Sequence, residues 1–253
     1  EAAEAGALAL KAGGNAVDAA IACAVTQGVV DPLMTGIGGV GSALVHDANS
    51  GKTENINFLG VAPASAHEDM WEDAIEGETA DAFGFILRER INALGHQAPM
   101  VPGNLKGYDI LLTEYGTMNW SDVTRSAIAY ADSGWIVRPH VYFYAMQDEE
   151  AQGRVHNTDI VGYTSEGRTL YLESDGQFRK PGSLIRNPKL GCILKNIASD
   201  GIDVFYKGDI AKRIDEDMKA HGGLMTQEDL ANYQAVRTPA LEGNYRGLRL
   251  ATN

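Results

Sequence analysis

Polar and apolar positions follow helical periods at both ends of the chain and alternate near residue 50. Ala5, Leu8, Ala9 and Ala12 recur at i, i+3, i+4 and i+7, which predicts a helix over residues 2–11 with that face buried. Gly13-Gly14 stops it, and Asn15 caps a second helix at once, with Asp18 three residues later beside the orphan amides. Ala16, Ala19, Ala20, Ala22 and Ala24 leave this second helix almost without bulk, so other backbone is expected close against it, Ala20 included. Gln27-Gly28 and Asp31-Pro32 end it, because the residue before a proline disfavours helical geometry.

Residues 42–47 and 53–61 read as two strands joined at Ala48-Asn49-Ser50-Gly51, with Ile56 and Phe58 on a buried face. Residues 68–94 are acidic, with Phe83, Ile86, Leu87 and Ile91 at helical spacing; a helix is expected, within a variable helical insertion over 68–100. Pro102-Gly103 opens a helix over 104–115. Ser121 begins another, with Val123, Ile128 and Ala131 inward, and 139–151 reads as a third. Residues 152–179 are less regular, with a short strand expected over 169–173. Helices then run from Asn187-Pro188 through Ala198, over 209–221, and from a capping pair Thr226/Asp229 to Tyr233; 241–251 reads as strand. No internal repeat or long linker divides the chain, so 1–253 is taken as one domain.

Composition narrows the function classes. A net charge of −13 over 253 residues argues against a nucleic-acid partner, which requires a basic face. No apolar run reaches the length of a membrane span. Glu1-Ala2-Ala3-Glu4 is not a signal peptide; the chain is expected to begin inside a domain, which leaves the compartment open between cytoplasm and periplasm. Cys23 and Cys192 read as free, buried small hydrophobes. G-x-S-x-G is absent, and His46, His67, His96, His140, His156 and His221 show no metal-ligand spacing. The residues themselves therefore offer no catalytic group and no metal site.

Gly36-Ile37-Gly38-Gly39-Val40-Gly41 fits G-x-G-x-x-G literally. That pattern cradles a pyrophosphate only after a strand and before a helix. Here a helix precedes it and a strand follows, so the glycines read as tight backbone passage.

Gly13-Gly14-Asn15-Ala16-Val17-Asp18-Ala19-Ala20, Gly36-Ile37-Gly38-Gly39 and Ala62-Pro63-Ala64 resemble the opening of the gamma-glutamyltransferase large subunit. Val101-Pro102-Gly103, Tyr115-Gly116, Ala127-Ile128, Phe205-Tyr206-Lys207-Gly208 and the block from Gly222 to Tyr233 follow in that family's order. The resemblance implies an N-terminal-nucleophile hydrolase with a four-layer αββα sandwich, of which this chain forms roughly half. It implies that the catalytic threonine lies on a separate small subunit cut from the same precursor, that no catalytic residue lies in this chain, and that neither metal nor organic cofactor is needed. The substrate would be a small-molecule amide, hydrolysed or used for acyl transfer. This chain ends at Asn253, where the resemblance places the processing point close ahead.

In the family's transferases an arginine in Phe-Arg-Glu-x-Ala-Pro clamps the glutamyl α-carboxylate. This chain has Phe58-Leu59-Gly60-Val61-Ala62-Pro63, with Leu59 at the arginine's position and Gly60 at the acid's. A leucine cannot bind a carboxylate, so the expected acyl group is not a free α-carboxylate glutamyl. The alternatives are a gamma-glutamyl enzyme that borrows Arg88, Arg90 or Arg138 from elsewhere, and an inactive homologue acting as a binding or structural module.

Overall fold

The computed structural model describes residues 1–147 and 152–253. Helices α1 (Ala2–Lys11) and α2 (Ala16–Val30) open the chain as an antiparallel pair. Asn15 Oδ1 accepts from the amides of Val17 and Asp18, and the Asn15 amide donates to the Asp18 carboxylate, which completes the capping box. Gly6 lets the two helices touch: a side chain there would meet the Ala19 carbonyl oxygen at 2.9 Å. The buried face of α1 is Ala5, Gly6 and Ala9, whereas Leu8 and Ala12 are exposed, because close glycine–alanine contact turns the expected apolar stripe by part of a turn. Ala22 is buried; Ala20 points outward, against expectation.

Strands β1 (Gly41–Asp47) and β2 (Lys52–Phe58) form the expected hairpin. Its turn is held by the Asp47 carboxylate, which accepts the amides of Asn49 and Ser50, and by Gly51 at φ 69°.

The segment 68–94 is not helical. It carries 3-10 turns at Glu72–Ala74 and Arg88–Arg90 and an antiparallel pair, β3 (Ile75–Glu78) and β4 (Phe85–Leu87). Thr79 and Asp81 explain the difference: Thr79 Oγ1 donates to Asp81 Oδ1 and accepts from Gly84 N, while Asp81 accepts from Phe83 N. Short polar side chains that satisfy the backbone locally favour a turn over a helix. Leu87 is buried, whereas Phe83 is 86% exposed.

Helices α3 (Asn104–Tyr115), α4 (Trp120–Val123), α5 (Arg125–Ser133) and α6 (Pro139–Ala145) follow, with β5 (Trp135–Ile136) between the last two. The reading of a helix over 139–151 holds as far as Ala145; residues 148–151 lie outside the described residues. Next come α7 (Asn157–Val161) and α8 (Ser165–Tyr171), the latter capped by Thr164, where a strand had been expected over 169–173. The cap sets the local conformation ahead of the β-branched and aromatic composition.

Strand β6 (Leu184–Ile185) pairs with β5. Helices α9 (Pro188–Asp200), α10 (Asp203–Tyr206), α11 (Asp209–Ala220) and α12 (Gln227–Asn232) lead to β7 (Val236–Pro239), β8 (Leu241–Tyr245) and β9 (Leu248–Thr252). The single strand expected over 241–251 is a hairpin, because Arg246 and Gly247 both take positive φ and turn the chain back.

The main sheet runs β1-β2-β7, all antiparallel. Helix α3 packs on β1 and β2, and α2 lies behind α3, flanked also by α1, α4 and α5. The helices thus cover one face of a small sheet, and one continuous apolar core lies between them. Leu44, Val236, Leu241, Leu248 and Leu250 are exposed on the strands. Cys23 is half-buried and Cys192 exposed, which corrects the buried reading of the second thiol. Among the described residues no helix is long and apolar enough to cross a membrane.

Candidate functional site

Strand β2 ends with Phe58, whose ring lies over α3 where Gly107 leaves room and meets Tyr108 edge-on at 5.7 Å. Burying such a ring stabilises by about 1.5–3 kcal/mol and fixes where the next residues start. The backbone beyond is then pinned residue by residue. Asn57 Oδ1 accepts the Leu59 amide at 2.9 Å, and Tyr233 Oη donates to the Leu59 carbonyl at 2.7 Å. Val61 and Val101 exchange backbone hydrogen bonds of 3.4 and 2.9 Å. The Ala64 amide donates to Asp229 Oδ1 at 2.8 Å.

Two of the pinning groups, Asp229 and Tyr233, come from the block near the C-terminal end. Thr226 and Asp229 form the capping box of α12, so one carboxylate both starts that helix and holds Ala64. Burial pushes the Asp229 carboxyl up, but the bonds from Ala64 and Thr226 outweigh it and hold it below the usual carboxylate range. Tyr233 follows α12 directly and stacks on Tyr206, with ring centres 6.2 Å apart. Tyr206 Oη donates to the Pro102 carbonyl at 3.0 Å, and burial pushes its hydroxyl pKa up.

The glycine loop closes the frame from the other side. Gly39 O accepts the amides of Gly103 and Asn104 at 3.0 Å each, and Asn104 Nδ2 donates to Gly36 O at 2.7 Å. A side chain at Gly28 would meet the Gly36 Cα at 3.2 Å, so these glycines do serve close backbone passage.

The loop presents a side chain and little else. The Leu59 side chain belongs to a residue 53% exposed, while both of its backbone polar groups are already bonded. A side chain at Gly60 would have to displace Met100. Arg88 donates to the Asp73 carbonyl, Arg90 to the Gly153 carbonyl and Arg138 to the Glu1 carboxylate, so each bonds a partner outside the loop. Among the described residues, no hydrogen bond or ion pair brings a lysine or arginine to residues 59–64. Residues 59–64 themselves carry no charged side chain, so the loop supplies no carboxylate fork of its own; a cation does lie along its support, Lys106, whose Nζ is 4.8 Å from the centre of the Tyr206 ring.

Sequence spacing missed one group. His96, Asp217 and His221 come together although the first lies 121 residues from the second. The available signal was Asp217 and His221 at i, i+4 on one helical face.

The chain is 33% identical over 241 residues to a glutathione hydrolase proenzyme of Escherichia coli, covering 95% of this chain and 38% of that protein. It is 34% identical over 251 residues to an acylase ACY 1 proenzyme of Pseudomonas sp. strain SE83, covering 97% and 42%. The chain thus spans about two fifths of the length of these relatives. The crystal structure of Helicobacter pylori gamma-glutamyltranspeptidase superposes with a TM-score of 0.84 at 29% identity, covering 99% of this chain and 66% of that one. The helix-on-sheet arrangement is accordingly part of the α+β N-terminal-nucleophile hydrolase fold, with its αββα sandwich. The gamma-glutamyltranspeptidase family model matches from residue 2 to residue 253, and the chain belongs to that family.

Proposed function

We propose that this chain is the large-subunit part of a gamma-glutamyltransferase-like enzyme that hydrolyses or transfers an acyl group from a small amide substrate. The nucleophile is the N-terminal threonine of a separate small subunit cut from the same precursor, with its free amine as the local base. Two observations support the assembly. The relatives are proenzymes more than twice as long as the part matched here, and the strands β7 to β9 present exposed apolar side chains. A second chain of matching apolar surface would cover them.

The acyl group is one without a free α-carboxylate at the position of Leu59. The relatives include a glutathione hydrolase and an acylase at nearly equal identity, so overall similarity does not choose between such substrates. The observation that carries the choice is Leu59: an exposed apolar side chain on a residue whose own backbone amide and carbonyl are already bonded.

The full-length protein should be purified and the N-terminal residues of its polypeptides sequenced. Its turnover of gamma-glutamyl anilide should then be compared with that of anilides bearing neutral acyl groups. A second polypeptide beginning with threonine and a preference for the neutral acyl group are expected. Absence of that threonine overturns the enzyme reading. Efficient gamma-glutamyl cleavage, indifferent to substitution at Leu59, overturns the substrate reading.

A further inference from the structure

Helix α11 ends in a turn where two imidazoles and a carboxylate, from His96, Asp217 and His221, come together. Asp217 and His221 lie one turn apart, with His221 at the C-cap, and Gly222 then takes φ 70°. Gly223 donates to the Met218 carbonyl at 2.7 Å and packs against the loop that carries His96; a side chain at Gly223 would meet His96 O at 2.8 Å. That contact delivers His96 to the helix end. His96 Nε2 lies 3.0 Å from Asp217 Oδ2, and His221 Nδ1 lies 3.3 Å from Asp217 Oδ1. The two imidazoles stack, with centres 4.4 Å apart and planes within 13°, and Tyr163 meets His96 edge-on.

We propose that His96, Asp217 and His221 bind a divalent first-row transition metal ion of the zinc class. One donor atom from each lies within 4.8 Å of the others. Tetrahedral zinc at about 2.0–2.1 Å from each donor requires donors about 3.3 Å apart, so a modest closure completes the set. The means of closure are visible. The Asp217 and His221 side chains are more than half exposed, while His96 is largely buried and serves as the fixed ligand. His221 Nδ1 also lies 2.9 Å from the Asp217 carbonyl oxygen, so metal binding exchanges that bond for the metal or uses Nε2 of the same ring.

Two imidazoles with one carboxylate match zinc, cobalt, nickel or copper, not the all-oxygen shell of calcium or magnesium. His96 and Asp217 also line a cavity of about 430 Å³ with Ala93, Pro99, Ile160 and Tyr163, from which solvent would supply the remaining ligand. Binding ties the 93–98 loop to the end of α11. The site uses none of the residues of the Leu59 loop, so it stands or falls independently of the proposed reaction.

The test uses full-length, tag-free protein stripped with a chelator and titrated calorimetrically with zinc chloride, then with cobalt chloride while the visible d–d absorption of cobalt is followed. One zinc per chain is expected, with a tetrahedral-type cobalt spectrum and no displacement by millimolar magnesium. His96→Gln, which keeps a polar group beside Asp217, and His221→Ala should each weaken zinc binding at least tenfold. Metal-free thermal melts of both variants establish that they are folded. Zinc should raise the melting temperature of the wild type and not that of the double variant. Absence of zinc binding at micromolar concentrations in the wild type overturns the proposal. So does unchanged stoichiometry and affinity in the folded double variant, which would place the metal on other histidines.

Discussion

Tyr233 Oη donates to the Leu59 carbonyl oxygen at 2.7 Å across 174 residues of sequence, which makes the end of α12 the support of the loop that follows β2. A phenylalanine keeps the stacking on Tyr206 and removes only the donor. Tyr233→Phe should therefore cost about 1–3 kcal/mol, the range for leaving a part-buried carbonyl without its partner. A chain of this size would then melt about 2–12 °C lower. An unchanged melting curve would show that the loop is held without this bond. Turnover should fall further than global unfolding explains, because Leu59 loses its fixed position.

How far the sequence reveals this arrangement depends on the range of the forces involved. The caps at Asn15 and Thr226 are local, so three or four residues suffice to read them, and both boxes form. The segment 68–94 defeats periodicity: Phe83, Ile86, Leu87 and Ile91 have helical spacing, but Thr79 and Asp81 satisfy their own backbone and turn the chain. Leu59 is legible as a position only through the family pattern. Its pinning by Tyr233, Asp229 and Asn57 is tertiary and has no local signature beyond the Asn57 side chain two residues away. His96 and His221 are likewise separated by too much sequence for any spacing rule to join them.

Helix α2 offers a paired test of packing. Ala22 is buried among the surrounding helices, whereas Ala20 is exposed. Ala22→Leu should destabilise by about 1–3 kcal/mol through overpacking. Ala20→Leu should stay within about 0.5 kcal/mol in this chain. Denaturant titrations of the two variants decide the matter, and equal effects would mean that Ala20 is packed as closely as Ala22.

Acid should loosen the same frame. Burial pushes the Asp18 carboxyl up, but bonds from the Thr117 hydroxyl and amide and the amides of Asn15 and Met118 more than offset it, so it sits below the usual range. Asp229 is held low in the same way. A carboxyl depressed in the folded state stabilises fully above its unfolded pKa, near 4, and loses that contribution as pH falls through the folded value. Stability should therefore decline below about pH 4. Asp18→Asn should flatten the decline while lowering stability at pH 7. A variant with the same pH slope as the wild type would exclude Asp18 as its source.

Leu59→Arg tests the substrate reading most directly. An arginine on this pinned backbone would supply the fork that carboxylate recognition needs, and hydrogen bonds to charged groups contribute roughly 1.5–3 kcal/mol, or about ten- to a hundredfold in specificity. Space is the limiting factor, because Met100 occupies the volume beside Gly60 where the family pattern has an acid. Leu59→Arg alone should raise kcat/KM for gamma-glutamyl anilide while lowering it for neutral acyl anilides. Adding Met100→Ala and Gly60→Glu should increase the gain, since the acid then orients the guanidinium. The measurement is the ratio of kcat/KM for the two substrate classes in the wild type, the single and the triple variant. A ratio that does not move in any of them, with the proteins folded, would mean that the acyl group does not meet residue 59.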